Sequence, residues 1–257
     1  MTTLCLITPT ADREHLLPLA YQCLQQQTYS DWQWWICDTS WKKSNFIQQL
    51  NDPRVHYIFE EQRLSIGQKR NLLIEACQGE LIFHIDDDDY YAPDYLQRMY
   101  QALQGYDFCS LNSWFAYDVK IQQGFYWNTT ESADLNYVLT PVMGTELQKC
   151  TFADPFQTQR MASQGYGFTY CYHQHIWKEH PFPDLDHKED HVFFMQLSDK
   201  GCAKNILADQ QGSVVKIMHD LNVSSIFPQY RIPTFLFQSH LPAFMRYLDA
   251  YRLAHCQ

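Results

Sequence analysis

Leu81-Ile82-Phe83-His84-Ile85-Asp86-Asp87-Asp88-Asp89-Tyr90-Tyr91 is the stretch on which the reading of this chain turns. A mostly apolar run leads straight into four consecutive aspartates. At about 5 Å and an effective dielectric near 20, each like-charged pair costs roughly 3 kcal/mol before salt screening. A solvated loop tolerates that cost. The end of a buried strand does so only if some carboxylates stay protonated or a cation sits among them. In an extended backbone Asp86 and Asp88 point the same way. Two carboxylates on one side suit a hard divalent ion, Mg²⁺ or Mn²⁺. A calcium loop of the EF-hand kind is excluded, because Tyr90 and Tyr91 stand where an acidic ligand and a glycine are needed.

Outward from this run, the first 110 residues alternate strand and helix patterns. Leu4 to Thr8, Trp32 to Cys37, Val55 to Phe59 and Leu81 to Ile85 read as short buried strands. Helical patterns cover Glu14 to Gln27, Ser44 to Leu50 and Ser65 to Cys77, and Pro93-Asp94 opens another helix. Short apolar strands between helices predict an α/β fold with a mostly parallel central sheet and flanking helices. Asp38 and the aspartate run then fall at the carboxyl ends of strands, where open α/β sheets bind ligands. Residues 112–172 are aromatic and polar without a helical period, so irregular strands and loops are expected there. Glu189 to Lys200 reads as a helix, Ser213 to Met218 as a strand ending at His219, and Ile232 to Ala254 as an aromatic-rich helical tail. The expected organisation is one domain over 1–225, with a ligand-binding part at 1–110 and an acceptor-side part at 111–225, followed by a tail at 226–257.

The 257 residues are 46% hydrophobic and 16% aromatic, enough for a packed core and far from disorder. A formal charge of −10 argues against nucleic acid as the partner. It also means that an anionic ligand needs a metal or a local cationic cluster. Nine cysteines without any C-x-x-C pair indicate neither a zinc cluster nor a disulfide framework. Reduced thiols, the lack of a signal-peptide pattern and the lack of a long apolar run lead to the expectation of a cytoplasmic protein with no membrane span.

Each chemical candidate has a plainer alternative. Asp38, in Cys37-Asp38-Thr39-Ser40, is either a turn or N-cap residue or an acceptor for a base N–H or ribose hydroxyl. Gly67-Gln68-Lys69-Arg70-Asn71 is either a solvated basic turn or a cationic helix N-terminus that meets phosphate. Glu189 and Asp190 either complement a helix dipole or include a general base for an acceptor hydroxyl. His219 is either an ordinary strand-end residue or a neutral imidazole offered to a metal.

Taken in order, these segments resemble the inverting family 2 glycosyltransferases with the GT-A fold, a Rossmann-like α/β architecture. The resemblance rests on Ile7-Thr8-Pro9-Thr10 with Arg13, Ile36 to Ser40 with Asp38, Gly67 to Asn71 with Gly79-Glu80-Leu81-Ile82, Asp86-Asp87-Asp88, Gly167-Phe168 through Trp177, Pro181-Phe182-Pro183-Asp184, Glu189-Asp190, and His219 with Asn222 and Ser224. It covers about residues 3–225. Cys37 departs from the acidic or small residue that the family often carries there.

The resemblance implies a nucleoside diphosphate sugar donor, UDP-sugar favoured, and a carbohydrate or glycoconjugate acceptor. It implies Asp190 as the catalytic base and Asp86, Asp88 and His219 as ligands of Mn²⁺ or Mg²⁺. Thr8, Pro9, Thr10, Arg13, Asp38, Arg70, Asp87 and Glu189 are implied on the nucleotide sugar. Trp114, Tyr126 and Trp127 are read either as sugar-stacking rings or as core. The apolar tail leaves open a homodimer contact or a peripheral contact at the inner face of the membrane. Two rivals are a metal-dependent nucleotidyltransferase, disfavoured by the lack of glycine in residues 8–14, and a non-catalytic nucleotide- or carbohydrate-binding protein on the same fold.

Overall fold

Strand β1 (Leu4–Thr10) sends Leu4 and Leu6 into one apolar layer and Cys5 and Ile7 into the other, so the sheet is buried on both faces. In this computed structural model the described residues are 2–130, 137–139, 148–149, 166–220, 222, 225–227 and 230–255. Helix α1 (Leu17–Gln25), with proline in its first turn, covers the first layer. Strand β2 (Trp32–Asp38) lies parallel to β1, and β3 (Val55–Phe59) parallel to β2. Between them runs the short helix α2 (Asn45–Gln49), capped by the Ser44 hydroxyl, which accepts from the Ile47 N–H at 3.2 Å. Helix α3 (Ile66–Ala76) starts at a capping box between Ser65 and Gln68 and leads into β4 (Leu81–His84), parallel to β1 on its other side. The sheet edge β3–β2–β1–β4 is therefore parallel, as the alternation predicts.

Beyond β4 the sheet becomes mixed. After β5 (Tyr90–Tyr91) and α4 (Tyr95–Leu103) comes β6 (Phe108–Asp118), eleven residues long, where irregular structure was expected from residue 112. It pairs with β7 (Gln123–Asn128) antiparallel. A 3₁₀ turn (Gly167–Thr169) precedes β10 (Cys171–His173), after two short strands, β8 (Tyr137–Leu139) and β9 (Gln148–Lys149). Strand β10 inserts antiparallel between β4 and β6. After α5 (Gln174–Glu179) and α6 (Glu189–Asp199), strands β11 (Lys204–Ala208) and β12 (Val214–Met218) both pair parallel with β6, and β12 also pairs with β5. Strand β13 (Ser225–Phe227) pairs with β8, and β14 (Tyr230–Arg231) with β7. Ser224 and most of the stretch between 131 and 165 lie outside the described residues.

The tail is helical, as expected, and consists of two helices, α7 (Thr234–His240) and α8 (Pro242–His255). Pro242 has no N–H and cannot continue α7, but it suits a helix start. Phe237, Phe244, Tyr247, Leu248 and Tyr251 are buried in the same layer as Tyr90 and Tyr117, while Phe235 and Leu236 stay exposed. Trp114 and Trp127 are core: both are buried and stack on each other with ring centroids 6.1 Å apart. Tyr126 is half-buried, and its hydroxyl donates to Ser113 at 2.8 Å. Among the described residues no helix is long and apolar enough to cross a membrane.

Candidate functional site

The aspartates sit where β4 leaves the sheet, and the fold brings two cations to them from far along the chain. Arg13, just past β1, donates through one Nη to Asp87 at 3.1 Å and Asp88 at 2.9 Å. Lys216 on β12 donates to Asp89 at 3.0 Å, and the Ile217 N–H donates to the other Asp89 oxygen at 2.9 Å. Sequence reasoning missed Lys216; the signal was a lone lysine in the apolar run Val214-Val215-Lys216-Ile217-Met218. The repulsion is thus answered in part by the protein itself.

The four carboxylates differ in charge preference. Burial pushes Asp88 up, but Arg13, Lys216 and His219 outweigh it and hold Asp88 well below the usual carboxylate range. Burial raises Asp87 to about 6, with Asp88 adding and Arg13 opposing. Burial raises Asp89 to about 8, against the pull of Lys216. Asp86 is raised too, again by burial first, with Lys216 opposing and Asp88 adding.

Ligand oxygens of Asp86, Asp88 and Asp89 lie within 4.8 Å of one another. Both Asp89 oxygens are engaged by β12, which leaves Asp86 and Asp88 as the pair with hard oxygens to offer. His219 comes to the same spot: its Nε2 lies 3.2 Å from Asp88, and the Asn222 amide donates to Asp88 at 3.2 Å. The Asn222 side-chain oxygen accepts from the His219 N–H at 2.6 Å, so the two hold each other. Two carboxylates with an adjacent imidazole form a donor set that fits Mg²⁺ or Mn²⁺.

The other wall is the start of α6. Lys188 turns the chain in the left-handed region, with φ of 64° and ψ of 12°, and launches Glu189 and Asp190. Asp190 accepts from the Gly167 N–H at 2.9 Å and from the His191 N–H at 2.7 Å. Glu189 is buried and accepts from Arg70. Burial raises Glu189 to about 7, with Arg70 opposing and Asp190 adding. A pocket of about 160 Å³ joins the two walls, lined by Asp86, Asp87 and Asp88 on one side and Glu189 and Asp190 on the other, with Arg13, Arg70 and Lys216 among them.

Helix α3 does not present its N-terminus to a phosphate. Its first N–H groups are taken: Ile66 donates to Asp186 at 3.2 Å, Gly67 to the Leu185 carbonyl at 3.1 Å, and Gln68 to Ser65 at 3.2 Å. Lys69 donates to the Thr10 carbonyl at 2.9 Å. Asn71 donates to the Phe182 carbonyl and accepts from Phe182 N–H and Trp177 Nε1. A Cβ on Gly67 would lie 1.8 Å from the Pro183 carbonyl oxygen, so glycine permits the contact. The face of α3 therefore grips the segment that leads into α6.

The remaining expected residues lie on the same strand ends. Thr8 is fully buried, accepting from Trp34 Nε1 at 2.8 Å and donating to the Ile85 carbonyl at 2.6 Å. Thr10 donates to Asp87, and Pro9 lines the pocket. Asp38 is buried and accepts from Tyr57 Oη at 2.6 Å and from the Ser40 N–H at 2.8 Å. Asp38 is not among the residues that line the pocket.

Comparison with known proteins agrees with this fold. The sequence profile described as Glycosyl transferase family 2 matches residues 5–174. A protein of Escherichia coli K12 named for a colanic acid biosynthesis glycosyl transferase, WcaA, is 38% identical over 92 residues, 34% of this chain and 33% of that protein. An Escherichia coli protein named UDP-Glc:alpha-D-GlcNAc-diphosphoundecaprenol beta-1,3-glucosyltransferase WfgD is 24% identical over 94 residues, 36% of this chain and 37% of that protein. The matches thus span about a third of the length of these curated relatives. The fold is shared with the S. aureus TarS 1-349 structure in complex with UDP-GlcNAc, at a TM-score of 0.59 and 16% identity, covering 86% of this chain and 60% of that one. It is also shared with the mannosyltransferase PcManGT from Pyrobaculum calidifontis in complex with GDP-Man and Mn²⁺, at 0.56 and 13%, covering 84% of this chain and 56% of that one.

Proposed function

This chain belongs to glycosyl transferase family 2, and from that premise we propose that it moves a sugar from a nucleoside diphosphate sugar to an acceptor hydroxyl, with a divalent ion and with inversion. The observation that carries this reading is one pocket lined both by Asp86 and Asp88 and, from the opposite wall, by Asp190. In this reading Asp86, Asp88 and His219 hold the ion, which when bound supplies Lewis-acid stabilisation of the leaving diphosphate. Arg13 and Lys216 add positive charge around an anionic donor in a chain that is otherwise acidic. Pro9, Thr10 and Asp87 flank the donor, and Asp38 with Thr8 supports the strand ends beneath it. Arg70 and Glu189 form the floor between donor and base.

Asp190 is the base. The Gly167 and His191 N–H groups fix its carboxylate, which then takes the proton of an acceptor hydroxyl as that oxygen attacks the anomeric carbon from the side opposite the leaving group. A positioned base contributes about 10²–10⁴-fold. A UDP-sugar is the first donor to test, because TarS binds UDP-GlcNAc and WfgD is named for UDP-Glc. PcManGT, with GDP-Man and Mn²⁺, supports Mn²⁺ as the ion to add.

The test is a thermal-shift series with UDP-glucose, UDP-GlcNAc and GDP-mannose, each with Mn²⁺ and with chelator. Ligand-linked stabilisation follows affinity. At least one donor should raise the melting temperature only with Mn²⁺, and Asp190→Asn should keep that shift while losing most turnover. No shift with any nucleotide sugar would overturn the reading; undiminished turnover in Asp190→Asn would remove the base.

A further inference from the structure

His84 is a buried polar residue in a run that otherwise reads as an apolar strand, and the donor and metal chemistry makes no use of it. It lies on the same face of β4 as Ile82, two positions before Asp86, and is 1% exposed. Its Nδ1 is 2.7 Å from the Gly167 carbonyl oxygen, and its Nε2 is 3.0 Å from the Tyr172 hydroxyl. A carbonyl oxygen only accepts, so Nδ1 carries the proton and donates. The Nε2 of a neutral imidazole then accepts, and Tyr172 donates to it.

Gly167 is held from both sides. Its carbonyl accepts from His84 Nδ1–H and, at 3.2 Å, from the Tyr170 N–H, and its own N–H donates to Asp190 Oδ2 at 2.9 Å. A Cβ on Gly167 would sit 2.9 Å from both the Cβ and the Oδ2 of Asp190, so this backbone and that carboxylate are in close contact. We propose that His84 is a positioning residue: through the Gly167 backbone it sets where the Asp190 carboxylate stands, a role that rests on reading Asp190 as the base. The rings around His84, Tyr170, Tyr172 and Phe182, have centroids 5.5 to 5.8 Å away. A phenylalanine would satisfy their packing but would donate nothing to Gly167.

Two readouts test this, one of which needs no substrate. The Gly167 amide in ¹H–¹⁵N spectra reports its hydrogen bond to Asp190. His84→Phe should shift it upfield and speed its exchange, whereas His84→Asn, whose amide can still donate to the Gly167 carbonyl, should keep it near its wild-type position. In UDP release from UDP-glucose with Mn²⁺, His84→Phe should lower kcat by about 10–100-fold, the scale of a misplaced reacting group, with donor KM unchanged, and His84→Asn should recover most of it. On top of Asp190→Asn, His84→Phe should cost nothing further, because groups that act as a unit are not additive.

An unmoved Gly167 amide in folded His84→Phe overturns the proposal, as does wild-type kcat in His84→Phe while Asp190→Asn is inactive; that second outcome leaves the base reading standing. Active Asp190→Asn instead removes the base reading and this role with it. Should His84→Phe fail to fold, Tyr172→Phe keeps the ring and removes only the donor to Nε2. A smaller shift of the same sign at Gly167 is expected there, and no shift overturns the proposal.

Discussion

Replacing Arg70 by methionine tests whether the base-bearing wall is held by a buried charge pair. Arg70 and Glu189 are 5% and 6% exposed, and the guanidinium donates to the carboxylate. Methionine keeps an unbranched chain of similar reach against Phe182 but leaves a buried carboxylate without its cation. Breaking one side of a buried pair costs about 3–5 kcal/mol. At ~2–4 °C per kcal/mol for a chain of this size, the melting temperature should fall by roughly 6–20 °C.

The pH dependence gives the prediction its sign. Glu189 is raised from 4.5 to about 7 in the fold, by burial first and by Asp190, against Arg70. A carboxyl whose folded value is raised contributes stability fully below its unfolded value and loses it as pH climbs through the folded one. Removing Arg70 raises Glu189 further, so the penalty of Arg70→Met should grow between pH 5 and pH 8. The assay is urea unfolding of wild type and variant at both pH values. The double variant Arg70→Met with Glu189→Leu should recover most of the loss, since an apolar replacement of a whole buried pair is close to neutral. A deficit below about 1 kcal/mol at pH 8, the size of an exposed pair, would refute the reasoning. So would a deficit equal at pH 5 and pH 8.

Gly67→Ala should destabilise by about 1–3 kcal/mol or more, because its Cβ would lie 1.8 Å from a backbone oxygen that cannot rotate away; an unchanged urea midpoint would count against the close contact. Asp88→Ala should abolish the Mn²⁺ dependence of donor-induced stabilisation, read by thermal shift with and without chelator; retained dependence would remove Asp88 from the metal set. Lys216→Met removes the cation that opposes the burial of Asp89, whose carboxyl is raised to about 8, so the deficit in urea unfolding should grow between pH 6 and pH 9 as the wild-type carboxyl ionises beside Lys216; a deficit equal at both pH values would count against the pair.

Legibility from sequence followed the kind of signal. The β1-to-α4 half was readable because apolar strands and helical stripes alternate cleanly, and Val55–Phe59 has the same bounds in both readings. Strand β6 was not read as one long strand, and its part from residue 112 was expected only as irregular strands and loops, because Ser110, Asn112 and Ser113 interrupt its apolar pattern; three-residue β10 is too short to show a period. The aspartate run stood out because like charges in series demand a partner. Lys216 and His84 did not, since each is a single polar residue inside an apolar run. Gly67, Arg70 and Asn71 were noticed as a group, but spacing along a helix says which residues share a face and not what lies across from it. Across from this one is the segment from Phe182 to Glu189.

That placement divides the site into two clamps with one residue between them. The strand-end clamp consists of Arg13, Lys216, His219 and Asn222, all acting on the aspartates. The α3 clamp consists of Gly67, Arg70 and Asn71, acting on the chain that delivers Asp190. Changes in the first act where an anionic ligand and its ion would sit, so they should move donor affinity. Changes in the second displace a carboxylate that acts on the acceptor, so they should move turnover at constant donor affinity. Arg70 alone belongs to both, because its charge acts on Glu189, Asp86 and Asp190 together. This buried guanidinium opposes the burial that raises Glu189 and Asp86. Its removal should therefore affect donor affinity and turnover at once, a coupling that Gly67→Ala and Asn71→Ala, which leave every charge in place, should not reproduce.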